Sequence, residues 1–229
     1  MSLSYTVLGL PEPYLDLFIQ EDRIFESITS LGFLITAVIL FMALHRSRKP
    51  EHRPENPPLK QLSYLFLALI FLVGAGEEIS WGQRIFDIAT PELMREVNVQ
   101  HELNLHNLTV FEGKGSLLTV DTLFTLFAFT FILVIPVVSS RFQPFARVVK
   151  RLMPVPNWGM GLLFLANFIL AKLAKILFVS SYDNPAITFI QGVQKIKEGN
   201  YGVLFALVAA YITFVMLKPR IANINRASS

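Results

Sequence analysis

Apolar residues fall into five long runs separated by polar segments, and that pattern predicts five membrane-spanning helices. A span needs about 20 mainly apolar residues. Residues 27–44, 62–81, 117–138, 158–179 and 201–217 meet this requirement. Asp121 and Pro136 interrupt the third run, and the fourth carries Lys172 and Lys175. The second is short before it reaches Glu77 and Glu78, so its helix must carry two carboxylates into the membrane or its interface. The predicted fold is all-α: a polytopic transmembrane helical bundle of about five spans. It forms a single membrane domain over residues 1–229, with a long ordered loop, residues 82–116, between spans two and three. The pattern holds no internal repeat.

The polar segments add detail to this frame. Pro11 and Pro13, followed by Tyr14, Leu15, Leu17, Phe18 and Ile19, predict a short interfacial helix. The proline-rich stretch 49–58 reads as a polar linker without a packed core, and His45 and His52 beside it as solvated. The first apolar run begins late and follows acids, which argues against a cleavable signal peptide.

Charge orients the bundle. Lys and Arg gather in cytoplasmic loops. Arg46, Arg48, Lys49, Arg53 and Lys60 follow span one; Arg141, Arg147, Lys150 and Arg151 follow span three; Lys218, Arg220 and Arg226 follow span five. These segments alternate correctly to share one side, whereas the amino-terminal segment is acidic, with Glu12, Asp16, Glu21, Asp22 and Glu26. The prediction is an outside N-terminus and a cytoplasmic C-terminus, with residues 82–116 outside.

Composition agrees. The chain is 53% hydrophobic and 16% charged, against about 25% charged in soluble domains. Its net charge of +3 and pI near 9.2 fit basic loops facing anionic headgroups, so the expected partner is the lipid bilayer and not nucleic acid. With no cysteine, disulfides, thiolate metal sites and Cys nucleophiles are excluded.

In this orientation the ionisable residues of the spans fall toward the outer face. Glu26 begins span one; Glu77, Glu78, Gln83 and Arg84 close span two; Asp121 lies one turn into span three. Lys172 and Lys175 lie in the outer half of span four, and Lys195 and Glu198 precede span five. Charges at membrane depth are costly and usually face the bundle interior or a water-filled cavity.

Two motifs carry most of the candidate chemistry. In the run from Gly74 to Arg84, a continued helix places Gly74, Glu78 and Gly82 on one stripe, where small residues let a neighbouring helix enclose the carboxylate. Glu77, Trp81 and Arg84 form the next stripe, with Arg84 able to pair with Glu77. One of the two adjacent glutamates would be a general acid or base, or both would hold a metal. The plainer alternative is an interfacial cap with solvated glutamates.

The second motif runs from Asn98 to Asn107. On a helix, Asn98, Glu102 and His106 share a face, so Glu102 and His106 would supply metal ligands or a carboxylate-oriented imidazole base. The metal trio is then Glu78, Glu102 and His106, holding a divalent cation, with Arg84 or Asn107 stabilising developing negative charge. His101 and His106 are five apart and do not share a face. The alternative is a hydrogen-bonded loop that plugs the bundle. Asp121 with Lys172 or Lys175, and Lys195 with Glu198, read as structural ion pairs.

The run GEEISWGQRIF followed by ELNLHNL resembles an uncharacterised family of bacterial integral membrane proteins, which implies a bacterial inner-membrane location and no particular activity. A more distant chemical similarity is to CAAX-type glutamate intramembrane proteases, which carry EExxxR and FxxxH. Glu77 and Glu78 match the paired acids. Gly82 stands where the arginine is expected, and FxxxH is absent.

Three functions remain open on these residues. One is a membrane-embedded enzyme, a metal- or glutamate-dependent hydrolase or transferase acting on a lipid or membrane-peptide substrate at the outer face. Another is a non-catalytic subunit whose polar loop docks a partner membrane protein. The third is an ion-coupled transporter, disfavoured by the absence of inverted repeats.

Overall fold

The computed structural model describes residues 2–10, 24–83, 86–99, 101–105, 107–112, 119–179 and 187–217. Long helices dominate: α1 (Ile24–Ser47), α2 (Pro58–Glu78), α3 (Val120–Phe129, continued through Thr130–Val134 and Ile135–Arg141), α4 (Gln143–Leu152), α5 (Trp158–Val179) and α6 (Ile187–Ala210, continued by Tyr211–Met216). Five segments are long and apolar enough to cross a membrane: Ile24–Ser47, Pro58–Glu78, Thr122–Arg141, Trp158–Leu177 and Gly192–Met216. The protein is thus a polytopic, all-helical membrane protein. One end of the bundle carries the residues between α2 and α3 (the loop end), and the other carries the basic segments (the basic end).

The fifth span differs from its prediction. Lys195 and Glu198 were expected before the helix at residue 201, yet α6 begins at Ile187 and contains them. Lys195 is accommodated because its ammonium pairs with Glu26 at the start of α1. Glu198, expected as the partner of Lys195 within α6, acts on the same ammonium.

Apolar burial does little to bring helices together in lipid, so close packing must do it. An ideal Cβ on Gly32 of α1 would sit 2.5 Å from the carbonyl carbon of Gly202 in α6. One on Gly202 would sit 3.0 Å from the Cα of Thr29. Only bare glycines permit this approach. Above the crossing, Phe33, Phe71, Phe124 and Phe205 fill the interior, with ring centroids 4.6 Å apart for Phe71–Phe205 and 5.4 Å for Phe33–Phe124.

Two spans depart from α geometry, each for an identifiable reason. Pro136 cannot donate to the carbonyl of Ile132 four residues earlier, and its ring crowds it. Residues Thr130–Val134 widen into a π-turn. Gly161 of α5 packs against that carbonyl, since a Cβ there would lie 2.7 Å from the Ile132 oxygen. In α6, Tyr211–Met216 is a second π-turn. Arg46 Nη1 donates to its Thr213 carbonyl at 3.0 Å with the guanidinium 4.8 Å above the Phe214 ring. Thr213 Oγ1 in turn donates to the Ile39 carbonyl at 3.1 Å.

The basic end is more ordered than a polar linker. His52, expected in solvent, is buried, as are Asn56 and Lys60. Asn56 Nδ2 donates to the His52 carbonyl at 2.8 Å, and the buried Tyr64 hydroxyl donates to Asn56 Oδ1 at 3.3 Å. The loop expected after span three contains α4, an amphipathic helix that buries Ala146 and Val149 and exposes Arg147, Lys150 and Arg151.

At the loop end, the amino-terminal turns Ser2–Tyr5 and Thr6–Gly9 bury Tyr5 and Leu8 against Ala171, Ala174, Val193 and Ile196. The Tyr5 hydroxyl donates to Asn167 Oδ1 at 3.1 Å, which also accepts from Asn200 Nδ2 at 2.9 Å. Burial pushes the Tyr5 phenol well above its ordinary range, and the hydrogen bond with Asn200 offsets part of that rise. The interfacial helix expected at 14–19 lies outside the described residues.

Candidate functional site

The first motif does not stay helical. α2 ends at Glu78, and Ser80, Trp81 and Gly82 follow in left-handed conformation with φ of 47°, 56° and 76°. The stripe expected from Gly74 through Glu78 to Gly82 therefore does not form. Two features drive the turn. The Trp81 indole folds back over Gly76, where a Cβ would lie 2.8 Å from its ring, and its Nε1 donates to Glu77 Oε1 at 2.6 Å. Ile79 N turns to the Gly76 carbonyl at 3.3 Å, while Ser30 of α1 donates to the Ala75 carbonyl at 2.9 Å.

The described residues of the second motif are not helical either, so Asn98 and Glu102 do not sit one above the other on a helical face. A single bridge between Asn98 and Leu108 closes it into a loop, and Val99 N donates to the Asn107 carbonyl at 2.9 Å. Asn107 is buried. Asn98 Nδ2 donates to the Asn104 carbonyl at 2.6 Å, and its Oδ1 accepts from Glu102 N at 3.3 Å.

The two motifs meet. Glu77 Oε2 accepts from Leu105 N at 2.5 Å, and Gln83 Oε1 accepts from Leu103 N at 2.7 Å. The Ser80 hydroxyl donates to Glu102 Oε2, which also accepts from Asn104 Nδ2 at 3.0 Å. Glu77 and Glu102 thus hold the loop against the end of α2. Arg84 and His106 lie outside the described residues.

Glu78 is half-buried and faces other partners. Glu198, Lys195, Glu26 and its neighbour Glu77 all lie within electrostatic reach of it. Glu198, Glu26 and Glu78 lie within the same reach of Lys195. Three carboxylates and one ammonium from α1, α2 and α6 therefore converge inside the loop end. Glu78 and Glu102 hold different described partners, and His106, the third member of the expected metal trio, lies outside the described residues. Among the described residues, no three His, Asp or Glu side chains form a metal-binding group.

Beside the carboxylates lies a half-enclosed cavity of about 250 Å³, lined by Thr122 and Thr125 of α3, Lys172 and Lys175 of α5, and Gln194 and Lys197 of α6. Lys172 Nζ also lies 5.5 Å from the centroid of the Phe168 ring. Gln194 joins the two regions, since its Nε2 donates to Glu198 Oε1 at 2.6 Å. Lys172 and Lys175, expected as partners of Asp121, share this cavity; the Asp121 side chain lies outside the described residues. Lys197, Gln194 and the two threonines were not anticipated. Their signal was the i,i+3 spacing of polar residues on three apolar helices.

No protein-family model matches the chain, and no characterised protein or solved structure is detectably similar to it.

Proposed function

We propose that the protein is a membrane-embedded enzyme whose general acid–base group is Glu78, acting on a lipid, lipid-linked or membrane-peptide substrate at the loop end. The observation that carries this reading is the separation of two neighbouring carboxylates. Glu77 is bonded to Trp81 and Leu105, whereas Glu78 faces Glu198 and the Lys195–Glu26 ion pair. A carboxyl group set among other titratable groups inside a bundle has the composition of a proton-transfer site. The likeliness of the motif pair to bacterial inner-membrane proteins, together with the basic loops, supports a bacterial inner membrane with the loop end outside.

The test is turnover in proteoliposomes made from a total bacterial lipid extract, with products read by mass spectrometry. Wild type should convert one lipid species, and Glu78→Gln should slow that conversion by about 100-fold or more while keeping the wild-type unfolding midpoint. Equal turnover by Glu78→Gln, or no converted species with wild type, overturns the reading. Docking of a partner membrane protein is the second reading, favoured by the exposed apolar side chains Phe86, Leu93 and Val110 between α2 and α3.

A further inference from the structure

We infer that the lysine-lined cavity between α3, α5 and α6 binds an anionic phosphate group, such as the headgroup of an acidic phospholipid. This names the substrate class of the site above and so rests on that reading, although the binding itself can be tested without it.

The argument starts from spacing. Thr122 and Thr125, Lys172 and Lys175, and Gln194 and Lys197 are each three residues apart on a different helix. Residues at i and i+3 share a helical face, so each helix presents two polar groups at adjacent levels. All six line one cavity. A single lysine in a span can reach the interface and leave the bundle undisturbed. Three lysines lining one half-enclosed cavity are a concentration of positive charge that lipid tails do not solvate.

The chemistry of the lining fits phosphate. Ammonium groups act as compact point charges for phosphate, and threonine hydroxyls and the Gln194 amide add neutral donors. Lys197 is buried at 7% exposure, so the cavity reaches into the bundle. Small-molecule pockets occupy roughly 300–1,000 Å³. A cavity of about 250 Å³ suits a compact headgroup and leaves acyl chains in the surrounding bilayer. Gln194 links the cationic pocket to the carboxylate cluster, since its Nε2 donates to Glu198 Oε1.

The experiment is calorimetric titration of the full chain in a neutral detergent with dihexanoyl phosphatidic acid, dihexanoyl phosphatidylcholine and inorganic phosphate. Phosphatidic acid should bind, and Lys172→Gln should weaken it about tenfold, with Lys172→Arg restoring most of the affinity. Lys172 is exposed, so its substitution leaves the fold intact; Lys197→Gln serves as a second variant. Binding of phosphatidic acid that phosphate displaces only weakly assigns the site to a lipid headgroup. Binding of phosphate alone, lost in Lys172→Gln, assigns it to the free anion. Equal affinity for phosphatidylcholine, no binding of either anion, or an unchanged affinity in both lysine variants overturns the inference. Glu78→Gln should bind as wild type does. Binding with full turnover in Glu78→Gln sinks the catalytic reading alone, and lost turnover without anion binding sinks this inference alone.

Discussion

Glu77 accepts the backbone N–H of Leu105 at 2.5 Å, so the carboxylate in the last turn of α2 anchors a loop 28 residues downstream. A hydrogen bond to a charged group contributes about 1.5–3 kcal/mol, less where solvent reaches it. Glu77→Ala should therefore cost about 1–2 kcal/mol and free the loop locally. Amide hydrogen exchange should accelerate at Leu105 and Leu103 and stay unchanged in the middle of α1. Protection at Leu105 equal to that of wild type would count against the anchor.

The crossing of α1 and α6 gives a second prediction. Gly32→Ala places a methyl 2.5 Å from the Gly202 carbonyl carbon, and backbone atoms cannot rotate aside. Overpacking of this kind costs about 1–3 kcal/mol. The unfolding midpoint in neutral detergent should fall, whereas Gly9→Ala, with nothing within 4 Å, should leave it unchanged. Equal midpoints for the two variants would show that the helices do not approach this closely.

The five spans were legible because lipid demands long apolar runs whatever the tertiary structure. What escaped depended on distant partners. The start of α6 was hidden because Lys195, Lys197 and Glu198 break the apolar run, and Glu26, 169 residues away in sequence, helps make Lys195 admissible there. The end of α2 was misplaced because Gly74 and Gly82 read as parts of a helical stripe. The role of Gly76 became visible only when Trp81 folded back over it. The polar meeting of the two motifs could be suspected from their residue types. The division of labour between Glu77 and Glu78 could not, since adjacent residues on a helix end carry no local sign of which partner each will face.

Arg46 gives the third prediction, at the basic end. Its guanidinium takes a carbonyl of the π-turn in α6 and stacks over Phe214. Arg46→Ala should cost about 1–3 kcal/mol. Arg46→Lys should recover only part of this, because an ammonium lacks the planar face and the fixed fork. Thermal unfolding in detergent separates the three proteins, and an Arg46→Lys midpoint at the wild-type value would deny the geometry any part.

Orientation decides which compartment supplies the substrate, and the chain is well suited to testing it. It contains no cysteine, so a single introduced thiol reports alone. Leu93 is 72% exposed in the segment between α2 and α3, and Val148 is 58% exposed on α4 at the basic end. The residues Arg147, Lys150 and Arg151 around Val148 should keep that end in the cytoplasm. In intact cells, a membrane-impermeant maleimide should therefore label Leu93→Cys, and should label Val148→Cys only after permeabilisation. The opposite pattern would reverse the bundle. It would place the carboxylate cluster and the lysine cavity against the cytoplasmic leaflet, and the substrate search would then have to start from lipids presented on that side.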